Sequence, residues 1–124
     1  MKICITSQGN TLESQVDPRF GRCAYFIIID PESSEFEIIE NSNAQTMGGA
    51  GIQAGQFISD KGVKTLLTGH VGPNAFQTLQ ANGIEIITGI SGPVKEAVEQ
   101  YKSGILKPTA NPTVGAHSGM KRNK

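Results

Sequence analysis

The segment Asp17-Pro-Arg-Phe-Gly-Arg-Cys23 sets a carboxylate, two guanidinium groups and a thiol around Phe20 and Gly21. Planar guanidinium donors suit the sulfide, oxo or carboxylate acceptors of an anionic ligand, so Arg19 and Arg22 are candidate binding residues. The same charges also read as a surface loop with ordinary, weak salt bridges. Cys23 follows Arg22 directly. A neighbouring positive charge would lower its thiol pKa and make it a soft metal ligand, whereas burial would make it a small hydrophobe. Cys4 sits in a run of β-branched residues and is expected in the core.

Two further loops offer binding chemistry. Asn41-Ser-Asn-Ala-Gln-Thr-Met-Gly-Gly-Ala-Gly51 precedes a helical pattern, so backbone N–H groups at Gly48, Gly49 and Gly51, unshielded by side chains, could cradle an anion. The loop lacks the spacing of a nucleotide fingerprint. Met47 within it is read as folding back onto apolar surface rather than as a thioether ligand. Gly69-His-Val-Gly-Pro-Asn-Ala75 places His70 at a strand exit and Gly72-Pro73-Asn74 at a helix start. Imidazole ligates most borderline metals, which makes His70 a second candidate metal ligand; a solvated or structural histidine is the alternative. His117 has no such context.

Missing chemistry is as informative. The chain has no carboxylate pair, no Ser/His/Asp set, no HExxH and no GxxxxGK[ST] motif, and a two-metal nuclease would need clustered carboxylates. The only aspartates are Asp17, Asp30 and Asp60. The sequence therefore predicts a binding protein, not an enzyme.

The elements that must position these loops follow from periodicity. Lys2–Ser7 reads as a central strand. Ala24–Asp30 and Glu35–Glu40 flank the turn Pro31-Glu-Ser-Ser34 and should pair as an antiparallel hairpin, the second strand at an edge. Ala54, Phe57 and Ile58 mark a helix from Ala50 to Lys61, stopped by Gly62. Strands at Lys64–Thr68 and Ile84–Thr88 alternate with helices that begin at Gly72-Pro73 and Gly92-Pro93. The order βββαβαβα predicts an α/β fold with a five-stranded mixed sheet and helices on its faces. The loops after Ser7, after Thr68 and at Gly89–Gly92 then fall at the carboxyl ends of parallel strands, where open α/β sheets bind ligands.

One domain is expected over residues 1–106, because 124 residues suit a single core. The tail, 107–124, rich in proline and small polar residues, is expected to be disordered. Eleven basic residues balance eleven acidic ones, which leaves no field to concentrate nucleic acid or anionic lipid. No apolar run approaches the roughly 20 residues that span a bilayer, and no signal-peptide layout precedes the first strand, so a cytoplasmic protein with reduced thiols is expected.

Several ordered boxes give the chain a resemblance: the opening strand, Arg19-Phe-Gly-Arg22 followed by Tyr25-Phe26, Glu40-Asn41 leading to Gly48-Gly49-Ala50-Gly51, Gly72-Pro73-Asn74-Ala75-Phe76, and Gly92 before the last helix. From Met1 to about Leu106 the chain resembles the dinitrogenase iron-molybdenum cofactor family. The resemblance implies a ribonuclease-H-like three-layer α/β/α fold. It also implies a non-catalytic carrier or scaffold for a Mo-Fe-S or Mo-Cu-S cluster or its precursor, held largely without covalent ligands. Cluster assembly or acceptor proteins would be its partners, and a monomer or weak homo-oligomer its state. On that reading Arg19, Phe20, Gly21, Arg22, Gly48, Gly49, Gly51, Gly72, Pro73 and Asn74 would surround the cluster, while Cys23 and His70 are candidate metal ligands on their own side-chain chemistry. Some carriers have His-Phe-Gly where this chain has Arg19-Phe20-Gly21, and Cys23 stands where alanine is usual. The alternative is a protein-protein adaptor or regulator on the same fold, without a cluster.

Overall fold

A computed structural model describes residues 1–42, 44 and 48–112. The chain runs β1 (Lys2–Ser7), β2 (Tyr25–Ile29), β3 (Phe36–Glu40), α1 (Ala50–Asp60), β4 (Val63–Leu67), α2 (Pro73–Ala81), β5 (Glu85–Ile87) and α3 (Val94–Lys102). The five strands form one mixed sheet in the order β3-β2-β1-β4-β5. β2 and β3 form the predicted antiparallel hairpin, Ile27 facing Ile38. β1 is antiparallel to β2 and parallel to β4, and β4 is parallel to β5.

Alternation along the strands decides the layers, because successive side chains point to opposite faces. Cys4, Phe26, Ile28 and Leu66 meet the buried faces of α1 and α2 through Ala54, Ile58, Ala75, Phe76 and Leu79. Ile3, Ile5, Ile27 and Leu67 turn the other way and pack on Val94, Ala97 and Val98 of α3. The result is a three-layer α/β/α sandwich. Each such Ile, Leu or Phe side chain contributes about 1.5–3 kcal/mol on burial, so the two apolar clusters hold the sheet from both sides. Pro73 is the first residue of α2 as predicted, whereas Pro93 is one step earlier, the N-cap of α3, with extended backbone.

The tail departs from expectation where it is described. The Thr109 N–H donates to the Ile86 carbonyl (2.6 Å), and its hydroxyl meets the Thr88 N–H (3.0 Å) and the Thr88 hydroxyl (2.7 Å). The outer edge of β5 carries unpaired backbone groups, and threonine can satisfy both a donor and an acceptor there. The chain thus stays hydrogen-bonded to the sheet past Leu106, at Thr109. The expectation for residues 113–124 lies outside the described residues, as does that for Met47.

Candidate functional site

The loop after β1 is built on one buried carboxylate. Asp17 is only 1% exposed. Its Oδ1 accepts the Arg19 N–H (3.0 Å) and the Arg19 Nε–H (3.2 Å), and its Oδ2 accepts Arg19 Nη2 (3.3 Å) and the Ala24 N–H (3.2 Å). The Asp17 carbonyl accepts the Thr6 hydroxyl at 2.7 Å, and Thr6 and Thr68 pair hydroxyl to hydroxyl at 2.7 Å. A buried carboxylate persists only when such donors replace its water. Asp17 therefore clamps both ends of the loop and ties it to β1 and β4. The loop then crosses the end of β4: the His70 N–H donates to the Pro18 carbonyl (2.8 Å) and the Phe20 N–H to the His70 carbonyl (3.3 Å).

The far half of the loop is held by Asn41, where β3 ends. Its Nδ2 donates to the Gly21 carbonyl (3.0 Å) and the Cys23 carbonyl (2.9 Å). Gly21, at φ +96°, lies so close to α1 that an added Cβ would sit 2.8 Å from Gly51 Cα. Gly51 in turn faces α2, where a Cβ would meet the Ala75 Cβ at 2.8 Å. Only glycine permits this stacking of loop, α1 and α2.

The stacking leaves a groove of about 260 Å³ at the carboxyl ends of the strands. Phe20 and Arg22 line it from the loop, Gly49, Ala50, Gly51 and Ile52 from the start of α1, and Gly72, Pro73, Asn74 and Ala75 from the start of α2. Neither helix has a side-chain N-cap or an acidic residue in its first turn. The N–H groups of Ala50, Gly51, Ile52, Asn74 and Ala75 have no acceptor among the described residues. Two positive helix ends and the Arg22 guanidinium thus share one concavity, a donor set for an anion.

The other sequence candidates are placed differently. Arg19 is turned from the groove onto Asp17, which raises its pKa through the hydrogen bond and its charge. Gly48 is exposed beside the groove, and His70 is exposed next to Arg19 without lining it. Cys23 overturns the expectation of a lowered pKa: the thiol is fully buried in the core, and burial, then the Asp17 charge, push it up to about 12. Hydrogen bonds from Asn41 and the Gly21 backbone only partly offset this. A protonated, enclosed thiol is a poor metal ligand. Cys4 is buried as expected, its pKa raised well above the ordinary value by burial and then by Cys23. Among the described residues no three His, Cys, Asp or Glu side chains gather closely enough to hold a metal ion.

Residues 1–104 match the sequence model of the family described as dinitrogenase iron-molybdenum cofactor. The chain belongs to that family. Among its relatives, an uncharacterized protein of Methanocaldococcus jannaschii is 30% identical over 110 residues, covering 86% of this chain and 90% of that protein. The apo form of the orange protein from Desulfovibrio gigas is 41% identical, covers 90% of this chain and 94% of its own, and superposes with a TM-score of 0.86. The NMR structure of a candidate NifB protein from Thermotoga is 35% identical over 99% of this chain and 98% of its own, with a TM-score of 0.76. The five-stranded mixed sheet with its three helices is thus a fold that this chain shares with the orange protein and the NifB candidate.

Residue type alone gives Asn41 no role of its own and Asp17 none beyond the box it opens. The Asp17-Pro-Arg19 sequence carries a readable signal, since aspartate commonly accepts the N–H two residues on. Asn41 carries no local signal, because its partners lie about twenty positions away. Among the described residues no helix is long and apolar enough to cross a membrane.

Proposed function

We propose that this chain binds and carries an anionic metal-sulfur cluster, of Mo-Fe-S or Mo-Cu-S type or a precursor of one, in the groove between the loop and the starts of α1 and α2, without transforming it. The observation that carries this reading is the convergence of two uncapped helix N-termini and Arg22 on one groove. Sulfide and oxo groups of such a cluster are acceptors, and backbone N–H and guanidinium groups are donors. Retention by hydrogen bonds and charge leaves the cargo free to pass to a cluster assembly or acceptor protein, where thiolate ligation would hold it. Cys23 has no part in this reading. His70, exposed at the rim beside Arg19, is the remaining candidate for direct contact with a metal.

Anaerobic purification and cluster reconstitution, followed by metal analysis and visible absorption, test the proposal. Sulfide-to-metal bands with stoichiometric metal are expected, lost on Arg22→Glu. A colourless protein that takes up no cluster would sink the reading and leave an adaptor role on the same fold.

A further inference from the structure

We infer that Asn41 is the positioning residue that presents Arg22 to the groove, an inference that rests on the proposed site. The two Nδ2 protons reach the carbonyls of Gly21 and Cys23, the residues on either side of Arg22, at 3.0 and 2.9 Å. One planar amide thereby fixes the peptide units flanking the arginine. The amide's orientation is not ambiguous, because both partners are carbonyl oxygens and only the NH₂ group can donate to them. Asn41 is itself anchored: its backbone N–H donates to the Ala24 carbonyl at 2.9 Å, and its carbonyl accepts the Ala44 N–H at 3.4 Å. It is 8% exposed.

The consequence for Arg22 follows from what surrounds it. Gly21, one residue earlier, is pressed against Gly51 at the first turn of α1. Arg22 Nη1 donates to the Ala44 carbonyl at 2.9 Å, three residues beyond Asn41. Both ends of the arginine, its backbone and its guanidinium, are therefore referenced to the start of one loop, and Asn41 fixes the distance between them. Aspartate at this position would offer acceptors where the two carbonyls require donors. Serine would supply a single donor. Arg19 has no share in this arrangement, since its loop half is held by Asp17.

The test is a double-mutant cycle on the full chain, with tetrathiomolybdate as the anionic Mo–S probe, binding followed by visible titration and folding by thermal unfolding. Asn41→Ala should weaken probe binding about tenfold, the scale of one charge-assisted hydrogen bond. In an Arg22→Ala background it should weaken binding no further, although both backgrounds lose thermal stability equally. Such non-additivity in binding alone marks action through Arg22. Asn41→Ser, with one donor, should fall between, which keeps the test usable if Asn41→Ala folds poorly. An equal loss of affinity with and without Arg22, or unchanged affinity in Asn41→Ala, overturns the inference. If the unaltered chain does not bind the probe, the proposed function fails, and NMR decides the positioning separately. Asn41→Ser should then shift the Arg22 Nε–H and Ala44 amide signals and spare that of Arg19; unmoved Arg22 signals overturn it.

Discussion

Arg19 and Arg22 stand three positions apart in one loop and end in opposite circumstances. Arg19 spends its donors on a buried carboxylate, with its own guanidinium still mostly in solvent. Arg22 reaches the Ala44 carbonyl and lies along the groove. The Arg19 half of the loop is a structural clamp whose charge is neutralised at source; the Arg22 half brings a guanidinium to the groove shared by two helix ends. In a short motif, the neighbour that takes up a charge decides its role more than the motif does.

The largest effect should come from the clamp. Asp17→Ala strips the acceptors from the Arg19 and Ala24 N–H groups, and with unsatisfied buried donors at about 1–3 kcal/mol each the loss should be roughly 3 kcal/mol. For a domain of this size that lowers the melting temperature by about ten degrees or more. A melting curve within two degrees of the unaltered protein would erase the distinction between the halves.

Alkaline pH probes the interior next to Arg22. The Cys23 thiol ordinarily titrates near 9.0 and in the folded chain near 12. The folded state keeps its proton while the unfolded state loses it, so stability is unaffected below pH 9 and falls as pH rises from 9 towards 12, by up to about 1.4 kcal/mol per unit. Denaturant titrations across that window should show the slope, and Cys23→Ala should flatten it. Iodoacetamide at pH 8 should label native Cys23 slowly, and rapid labelling would show that the thiol is open.

Arg22→Ala should weaken binding of a Mo–S anion about tenfold or more, with a melting temperature shifted by a degree or so. Arg19→Ala should leave binding within a factor of two but lower stability by about 1–3 kcal/mol, because it strips two side-chain donors from the buried Asp17 carboxylate. Equal losses of affinity in the two variants, measured side by side, would restore the symmetry that the structure removes.

Much of this was readable in the sequence. Apolar alternation and Gly-Pro helix starts gave the element order, and the strand directions put the loops at one end. Residue type singles out Arg22, Gly49 and Gly51, the family resemblance adds Phe20, Gly72, Pro73 and Asn74, and all seven line the groove. What could not be read was partnership across distance. Whether Cys23 is lowered by Arg22 or raised by burial depends on packing in the core, and whether Arg19 or Arg22 faces the groove depends on a carboxylate whose burial is tertiary. Thr109 was hidden for the same reason: its partners are the free edge of β5, not its own neighbours.

The Thr6–Thr68 hydroxyl pair joins residues 62 positions apart where parallel β1 and β4 meet. A hairpin such as β2–β3 closes within microseconds from local contacts, whereas a parallel pairing must first overcome the entropy of a long loop. The loop that carries Asp17 is bonded to His70 beyond the end of β4, so it is seated, and the groove completed, only once that pairing exists. In refolding, then, the hairpin should acquire amide protection early, and the capacity to hold an anion should appear in the last phase.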